Sequence, residues 1–193
     1  MNNNLKVLKH FVENKDKTFT IKKVSELLKT NYRIAHEEIT KLEKDGLILI
    51  TKQGNAKVCQ FNYRYSSKVV ELEEIRKQEL FKNQDLHLIY KRLSEVKNPF
   101  YCLVLFGSYS SKTNKKGSDI DLCLIAEDEI VKREVKSILK ITPINVDLQE
   151  FSSQEFLQML KSKENNVGNE IVKNNVILYG LEQFYKLVNN VKQ

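Results

Sequence analysis

The stretch that most constrains this chain is "YCLVLFGSYSSKTNKKGSDIDLCLIAED", residues 101–128. Two short apolar runs, "YCLVLFG" and "DIDLCLIAED", flank a polar loop. Runs this short and rich in branched residues suit buried strands. The loop is long enough to bring the second run back beside the first. A buried strand does not suit Asp119 and Asp121, which both sit in the second run. Residues i and i+2 of a strand point to one face. The two carboxylates are therefore expected to project together, while Ile120 and Leu122 face the core. Carboxylates this close raise one another's pKa, and a bound divalent cation removes that penalty. Hard oxygen ligands suit Mg²⁺ or Mn²⁺, which keep waters and take substrate phosphates as further ligands.

Gly107 and Ser108 follow the first run directly. A glycine at such a turn lets the backbone approach a ligand closely. Amides at a following helix start, with the Ser hydroxyl, can hold a phosphate. A third acid, Asp147, lies in "PINVDLQEF" between Val146 and Leu148, on a face shared with Asn145 and Gln149. If that strand neighbours the Asp119 strand, three carboxylates converge. The set then fits two-metal nucleotidyl transfer, in which one ion activates the attacking oxygen and the other steadies the triphosphate and the leaving pyrophosphate. Asp147 would hold the activating ion and help take the acceptor's proton. Taken singly, each part is ordinary: a Gly-Ser pair, a solvated Asp-x-Asp turn, the polar face of a half-exposed strand. Their order and placement carry the inference.

"LFGSYSSKTNKKGSDIDLCLI" resembles the Gly-Ser-x10-Asp-x-Asp signature of the polymerase β-like nucleotidyltransferase superfamily, and within it the small stand-alone members called minimal nucleotidyltransferases. The resemblance covers roughly residues 86–188, because "EIVKNNVILYGLEQFYKL" is also similar to the tails of that group. It implies a short mixed sheet with helices, Mg²⁺ (two ions), an NTP donor with ATP as the default, and transfer of a nucleoside monophosphate to a hydroxyl. By position, Gly107 and Ser108 match the phosphate-binding pair, Asp119 and Asp121 the metal-binding pair, and Asp147 the third carboxylate. Small members often carry Ala-Arg-Gly just after the Gly-Ser-x element. Here the chain has Ser110-Ser111-Lys112, and Lys112, Lys115 or Lys116 is the candidate for the missing positive charge; a solvated basic loop is the alternative. The acceptor is left open between a protein hydroxyl (some minimal members are antitoxins that modify a cognate toxin), a small molecule and an RNA end.

The chain before this region has a different character. Helical spacing runs through Leu5, Leu8, Phe11 and Val12. A second helix carries Val24, Leu27 and Leu28, with Thr20 as its cap. In a third, capped by Thr30 or Asn31, the residues Ile34, Ala35, Ile39 and Leu42 are expected inward, with Gly46 at the end. "LILITKQGNAKVCQFNY" then reads as strand, turn and strand, with Gln53-Gly54-Asn55 turning. This order resembles a winged helix-turn-helix over about 60 residues. The resemblance implies a third helix able to enter a DNA groove, with Tyr32, Arg33, His36, Glu37, Thr40, Lys41 and Lys44 outward and Lys52 and Lys57 flanking the wing. Glu37, Glu38, Glu43 and Asp45 on the same helix oppose phosphate, so protein docking stays open beside DNA binding.

The fold expected is α+β in three parts. A winged helix-turn-helix spans 1–65, a helical linker 66–84, and a minimal nucleotidyltransferase domain 85–193. The linker helix is expected to break near Asn83-Gln84-Asp85, with Asp85 capping the next helix and Pro99 stopping it. Charge is uneven: residues 1–66 hold 13 Lys/Arg against 7 Asp/Glu, +6 of the chain's +7, which suits a polyanion partner for that third or only a soluble surface. Cys59, Cys102 and Cys123 sit in strand-like runs with no Cys-x-x-Cys, and His10, His36 and His87 are scattered, so no zinc site is expected. There is no run of about 18 apolar residues and no secretory core at the N-terminus, so the expected location is the cytoplasm, away from a membrane. Oligomeric state is not legible. The alternative function is a DNA-binding regulator whose nucleotidyltransferase-like domain only senses nucleotide.

Overall fold

The computed structural model describes residues 1–162 and 164–192; Lys163 and Gln193, both within the nucleotidyltransferase domain expected over 85–193, lie outside the described residues. Two compact units divide the chain, Met1–Leu72 and Glu73–Gln193.

The first unit runs α1 (Asn3–Val12), β1 (Thr18–Thr20), α2 (Ile21–Leu27), α3 (Tyr32–Lys44), β2 (Ile48–Gln53) and β3 (Ala56–Phe61). Each helix starts at a side-chain cap. Asn2, Thr20 and Asn31 accept from the amides of Leu5, Lys23 and Arg33, satisfying N–H groups that a helix start leaves without partners. Leu5, Leu8, Phe11, Val24, Ala35, Ile39 and Leu42 are buried, as their spacing predicts. Ile34 and Leu27 are not: they are 36% and 46% exposed. Ala35, Ile39 and Leu42 already define the buried stripe of α3, and Ile34 lies about 100° round the helix from Ala35. β1 is an addition to the expected order. It pairs antiparallel with β3, giving the sheet order β1-β3-β2. The β2–β3 hairpin closes between Gln53 and Ala56, with Gly54 left-handed at φ 58°.

Helix α4 (Ser67–Leu80) crosses the division between the units. In the segment expected as a linker, Val69, Leu72, Glu73 and Arg76 are all buried. Within the second unit the Arg76 guanidinium donates to Glu73 at 2.6 Å and to the carbonyl of Asn175, while the Tyr185 hydroxyl donates to Glu73 at 3.0 Å. A buried charge needs such a full set of partners. Hydrophobic spacing does not reveal it.

The second unit continues with α5 (Gln84–Leu93), β4 (Cys102–Leu105), α6 (Gly107–Ser110), β5 (Ile120–Ile125), α7 (Glu129–Lys140), β6 (Val146–Phe151), α8 (Ser153–Lys161), α9 (Val167–Lys173), β7 (Val176–Tyr179) and α10 (Leu181–Lys192). The cap of α5 is Asn83, not Asp85; its side chain accepts from the amides of Asp85 and Leu86. The helix also ends at Ser94, before Pro99 is reached. The sheet order is β6-β5-β4-β7. β5 is antiparallel to β4 and parallel to β6, and β7 is antiparallel to β4. Ile120, Leu122 and Leu124 pack with Leu103 and Leu105 against α5 and α7 through Leu86, Ile89, Leu93, Val131, Val135 and Leu139. The architecture is mixed α+β, as expected, with helices and a small mixed sheet. The three cysteines are buried and free. No helix among the described residues is long and apolar enough to cross a membrane.

Candidate active site

The β4–β5 pair sets the site. Cys102 to Leu105 pair with Ile125 to Leu122, and the Phe106 amide donates to the Asp121 carbonyl at 3.0 Å. Gly107 therefore turns the chain directly over the side chain of Asp121. It does so at φ 67°, in the left-handed region. A Cβ on Gly107 would collide with the Asp121 carboxylate. Only glycine meets both demands.

Beyond Gly107 a single turn, α6, leads into the polar loop. The Ser110 hydroxyl donates to the carbonyls of Gly107 (2.9 Å) and Asn174 (3.1 Å). The Ser111 hydroxyl donates to Gly107 at 3.0 Å. These serines stand where the resemblance expects Ala and Arg, and Ser110 ties the Gly107 turn to Asn174, just after α9. The Ser108 amide donates to the Asp121 carboxylate. Lys112 is left-handed at φ 59°, and its ammonium lies 3.5 Å from Glu79. Lys115 and Lys116 are exposed in the same loop.

The third acid falls where the sequence pattern required. β6 runs parallel beside β5, with Asp147 in register with Asp121. Neighbouring strands lie about 4.8 Å apart, so two carboxylates meet across the ladder on one face. Asp119 stands one residue before β5 and is exposed. Burial lifts the Asp121 carboxyl above its ordinary value; the charges of Asp147 and Asp119 raise it further, and the Ser108 amide opposes them. The charges of Asp147 and Asp119 thus both reach Asp121. Gln149, two residues along β6, donates to both Asp147 oxygens at 3.3 Å. Its face-sharing with Asp147 was legible from strand alternation; its hydrogen bonds to that carboxylate were not.

Two clefts open at these acids. One of about 450 Å³ is lined by Phe106, Gly107, Ser111 and Asp121 together with Val167, Glu170 and Asn174 of the α9 region. The other, of about 660 Å³, is lined by Asp119 and Asp147 with Lys136, Lys140, Thr142, Asn145 and the apolar Leu139, Ile144, Val146 and Leu148. Glu170, Asn174, Lys136 and Lys140 are far from the signature in sequence and were not candidates. No spacing rule links them to it; the topology does.

Residues 89–174 match the family model described as a nucleotidyltransferase domain. Over these residues the chain is similar to nucleotidyltransferases. The match begins within α5 and ends at Asn174, so it takes in Gly107, Ser108, all three aspartates and both clefts. A solved toxin–antitoxin structure with AMP-PNP is similar at 24% identity, over 54% of this chain and 80% of that one, with a TM-score of 0.38. No curated protein matches the chain.

Nucleotidyltransferases act on NTPs and generally use divalent metals, and the donor set here suits a hard cation. Among the described residues no group of three or more His, Cys, Asp or Glu side chains is placed to hold a metal ion. An open set of aspartate oxygens is what Mg²⁺ takes when waters and substrate phosphates complete its shell. The raised carboxyl of Asp121, under the charges of two further acids, is the feature of this structure that fits such an ion.

Of the residues proposed for nucleic acid, Tyr32, Arg33, His36, Lys41 and Lys44 are all exposed on α3. Arg33 is paired with Glu37 at 3.0 Å and Lys41 with Glu38 at 2.7 Å. The rings of Tyr32 and His36 are 6.1 Å apart. Lys52 and Lys57 face each other as partners on the exposed hairpin.

Proposed function

We propose that this domain moves a nucleoside monophosphate, AMP from ATP by default, to an acceptor hydroxyl and releases pyrophosphate. The observation that carries this reading is the in-register pair Asp121 and Asp147, with Gly107 closed over Asp121, one cleft lined by Asp121 and another by Asp147. Nucleotidyl transfer needs a donor and an acceptor to meet at acidic groups from opposite sides.

In this reading the donor lies in the cleft of Gly107, Ser111 and Asp121. The Gly107 turn lets the triphosphate approach the backbone, and the Ser108 hydroxyl contacts it. Lys112 exchanges Glu79 for a phosphate oxygen, or Lys115 or Lys116 supplies that charge. Asp119, Asp121 and Asp147 would hold two Mg²⁺ or Mn²⁺ ions; when bound, these neutralise the acids and the charge developing on the triphosphate. The acceptor oxygen forms a bond to the α-phosphorus. The bond from that phosphorus to the β-phosphate bridging oxygen breaks, and pyrophosphate leaves. The hydroxyl proton passes to the Asp147 carboxylate, which Gln149 orients.

Titration of Mg-ATP into wild type and Asp121→Asn by calorimetry tests the reading without any knowledge of the acceptor. Magnesium-dependent binding that disappears in Asp121→Asn is the expected result. Failure of the wild type to bind any NTP would sink it.

The first unit has the element order of a winged helix, and we assign it a recruiting role on that ground. Its exposed α3 face and basic hairpin favour nucleic acid, while the ion pairs of Arg33 and Lys41 weaken that preference. DNA affinity with a steep salt dependence, without any label transfer, would favour the regulator alternative.

A further inference from the structure

The larger cleft has an unusual wall. β6 is the edge strand of its sheet. Ile120 donates to the carbonyl of Asn145 and Ala126 to that of Phe151. In a parallel ladder the inward groups alternate, so the odd-numbered residues of β6 direct their backbone groups at β5. Val146, Leu148 and Glu150 therefore direct N–H and C=O away from the sheet. Among the described residues no hydrogen bond engages those outward groups. Val146 and Leu148 both line the cleft, and Asp147 stands between them. Open edges of this kind are usually covered, charged or cut short. Here the edge borders the proposed reaction centre instead.

We propose that the acceptor is an extended polypeptide segment that adds to the β6 edge, with its Ser, Thr or Tyr hydroxyl opposite Asp147 and acidic residues beside it; this rests on the nucleotidyltransferase reading above. Strand addition supplies affinity through main-chain hydrogen bonds and specificity through alternate side chains. Residues facing each other across two strands project to the same face. The residue opposite Asp147 therefore points its side chain to the Asp147 side of the sheet. Toward this outer edge Asp147 is at a position without mutual backbone bonds, where facing side chains come closest in an antiparallel pair. A hydroxyl there gives its proton to Asp147 as its oxygen bonds the α-phosphorus and pyrophosphate leaves.

The neighbours of that hydroxyl, one residue before and after, point to the other face. Val146 and Leu148 mark that face by packing against the cluster that holds Val135 and Leu139 of α7. Lys136 and Lys140 of α7 line the cleft there. Lys136 is taken by Glu150 at 2.5 Å. No ion pair involves Lys140 among the described residues, so it is the cation left for an acidic flanking residue. RNA fits this wall poorly. The two lysines are offset by Asp119 and Asp147 in the same cleft, and nucleotides do not complete a strand edge.

The test uses the full chain, Mg²⁺ and α-labelled ATP with four acceptors. These are short peptides carrying one Tyr, Ser or Thr between glutamates, the same peptides with lysines in place of the glutamates, an RNA oligonucleotide and a small polyol. Label is expected on the glutamate-flanked peptides. Val146→Pro removes one outward N–H without touching the β5 ladder, as an edge strand tolerates. It should lower transfer about ten-fold while Mg-ATP binding stays as in wild type. Lys140→Glu should shift preference to the lysine-flanked peptides. That surface change keeps the test alive if the proline variant misfolds. Label on RNA or polyol alone, no label on any peptide, or wild-type transfer by both variants would overturn the edge proposal with the donor reading intact. Absence of Mg-ATP binding by the wild type would overturn both.

Discussion

The two units handle charge in opposite ways. On α3 of the first unit, acids and bases alternate and neutralise one another: Arg33 with Glu37, and Glu38 with Lys41 and with the amide of Asn4. Across β5 and β6 of the second unit, like charges are set side by side, with Asp121 beside Asp147 and close to Asp119. A paired surface costs a fold little and contributes little. A cluster of like charges costs stability unless a ligand relieves it. The difference teaches where to look for function: it lies where the chain tolerates repulsion that it could have avoided.

The comparison breaks if the aspartates prove structural. Asp121→Asn should lower transfer by about 10²–10³-fold or more, the scale of losing a group that stabilises developing charge. Its stability should move the other way. The Asp121 carboxyl is held above its ordinary value of 3.8, so its charged form is disfavoured in the fold. That penalty is full above the raised value and vanishes below 3.8, where both states are protonated. At pH 7 the metal-free variant should therefore melt at or above the wild-type temperature, and the gap should close in acid. A lower Tm at pH 7 would place Asp121 among the fold's supports. Gly107→Ala should lose activity as severely, by displacing the Asp121 carboxylate, and should also lose stability from its left-handed backbone.

Next in size is a charge that the second unit does pair. Arg76 and Glu73 are 7% and 2% exposed, and their partners are Asn175 and Tyr185. Arg76→Met would leave Glu73 buried without its cation, at a cost of about 3–5 kcal/mol. Chemical denaturation should report that loss in the second unit. A neutral result would mean that water relieves Glu73.

These cases show what was legible in the chain. Gly107, Asp119, Asp121 and Asp147 could be found because strand alternation and a short spacing place them on one face. The parallel register of β5 and β6 was only conditional in the sequence, since nothing local states which strands pair. The Glu73–Arg76–Tyr185 set was invisible for the same reason: its members are 112 residues apart at the extremes and meet only in the fold. Ile34 misled because an apolar residue beside a stripe looks like part of it. Asn83 took the capping role from Asp85 because both are good caps and the choice lay in backbone geometry. The clefts came from topology, so Lys140 and Glu170 had no signal at all.

A smaller effect belongs to His10 of the first unit. Its ring lies 4.6 Å from Phe19 and 5.7 Å from Phe11, and Nε2 is buried with no hydrogen-bond partner among the described residues. Burial holds its pKa below 6.5; Glu13 opposes this, and Lys17 adds to it weakly. The unfolded chain then takes up the proton first as pH falls. The stability of this unit is full above 6.5 and declines as pH drops from there through the folded value. Melting curves at pH 7.5 and pH 5 should differ in wild type, and the difference should shrink in His10→Leu. An equal shift in both proteins would assign the pH effect elsewhere.

The smallest effect expected is on α3, and it bears most directly on what the first unit binds. Arg33 is 88% exposed on its side chain, and its pair with Glu37 is an i,i+4 contact. Arg33→Ala should cost less than about 0.5 kcal/mol, and less still in salt. The same variant separates two uses of the helix. If α3 meets phosphates, Arg33 must leave Glu37 to do so, and its removal should reduce the slope of log affinity against log salt by about 0.9. Glu37→Gln frees the guanidinium and should then raise nucleic-acid affinity. If α3 docks a protein, both variants leave nucleic-acid binding flat. The paired surface would then be the reason: a helix whose cations are already satisfied has little to offer a polyanion, whatever the unit's net charge.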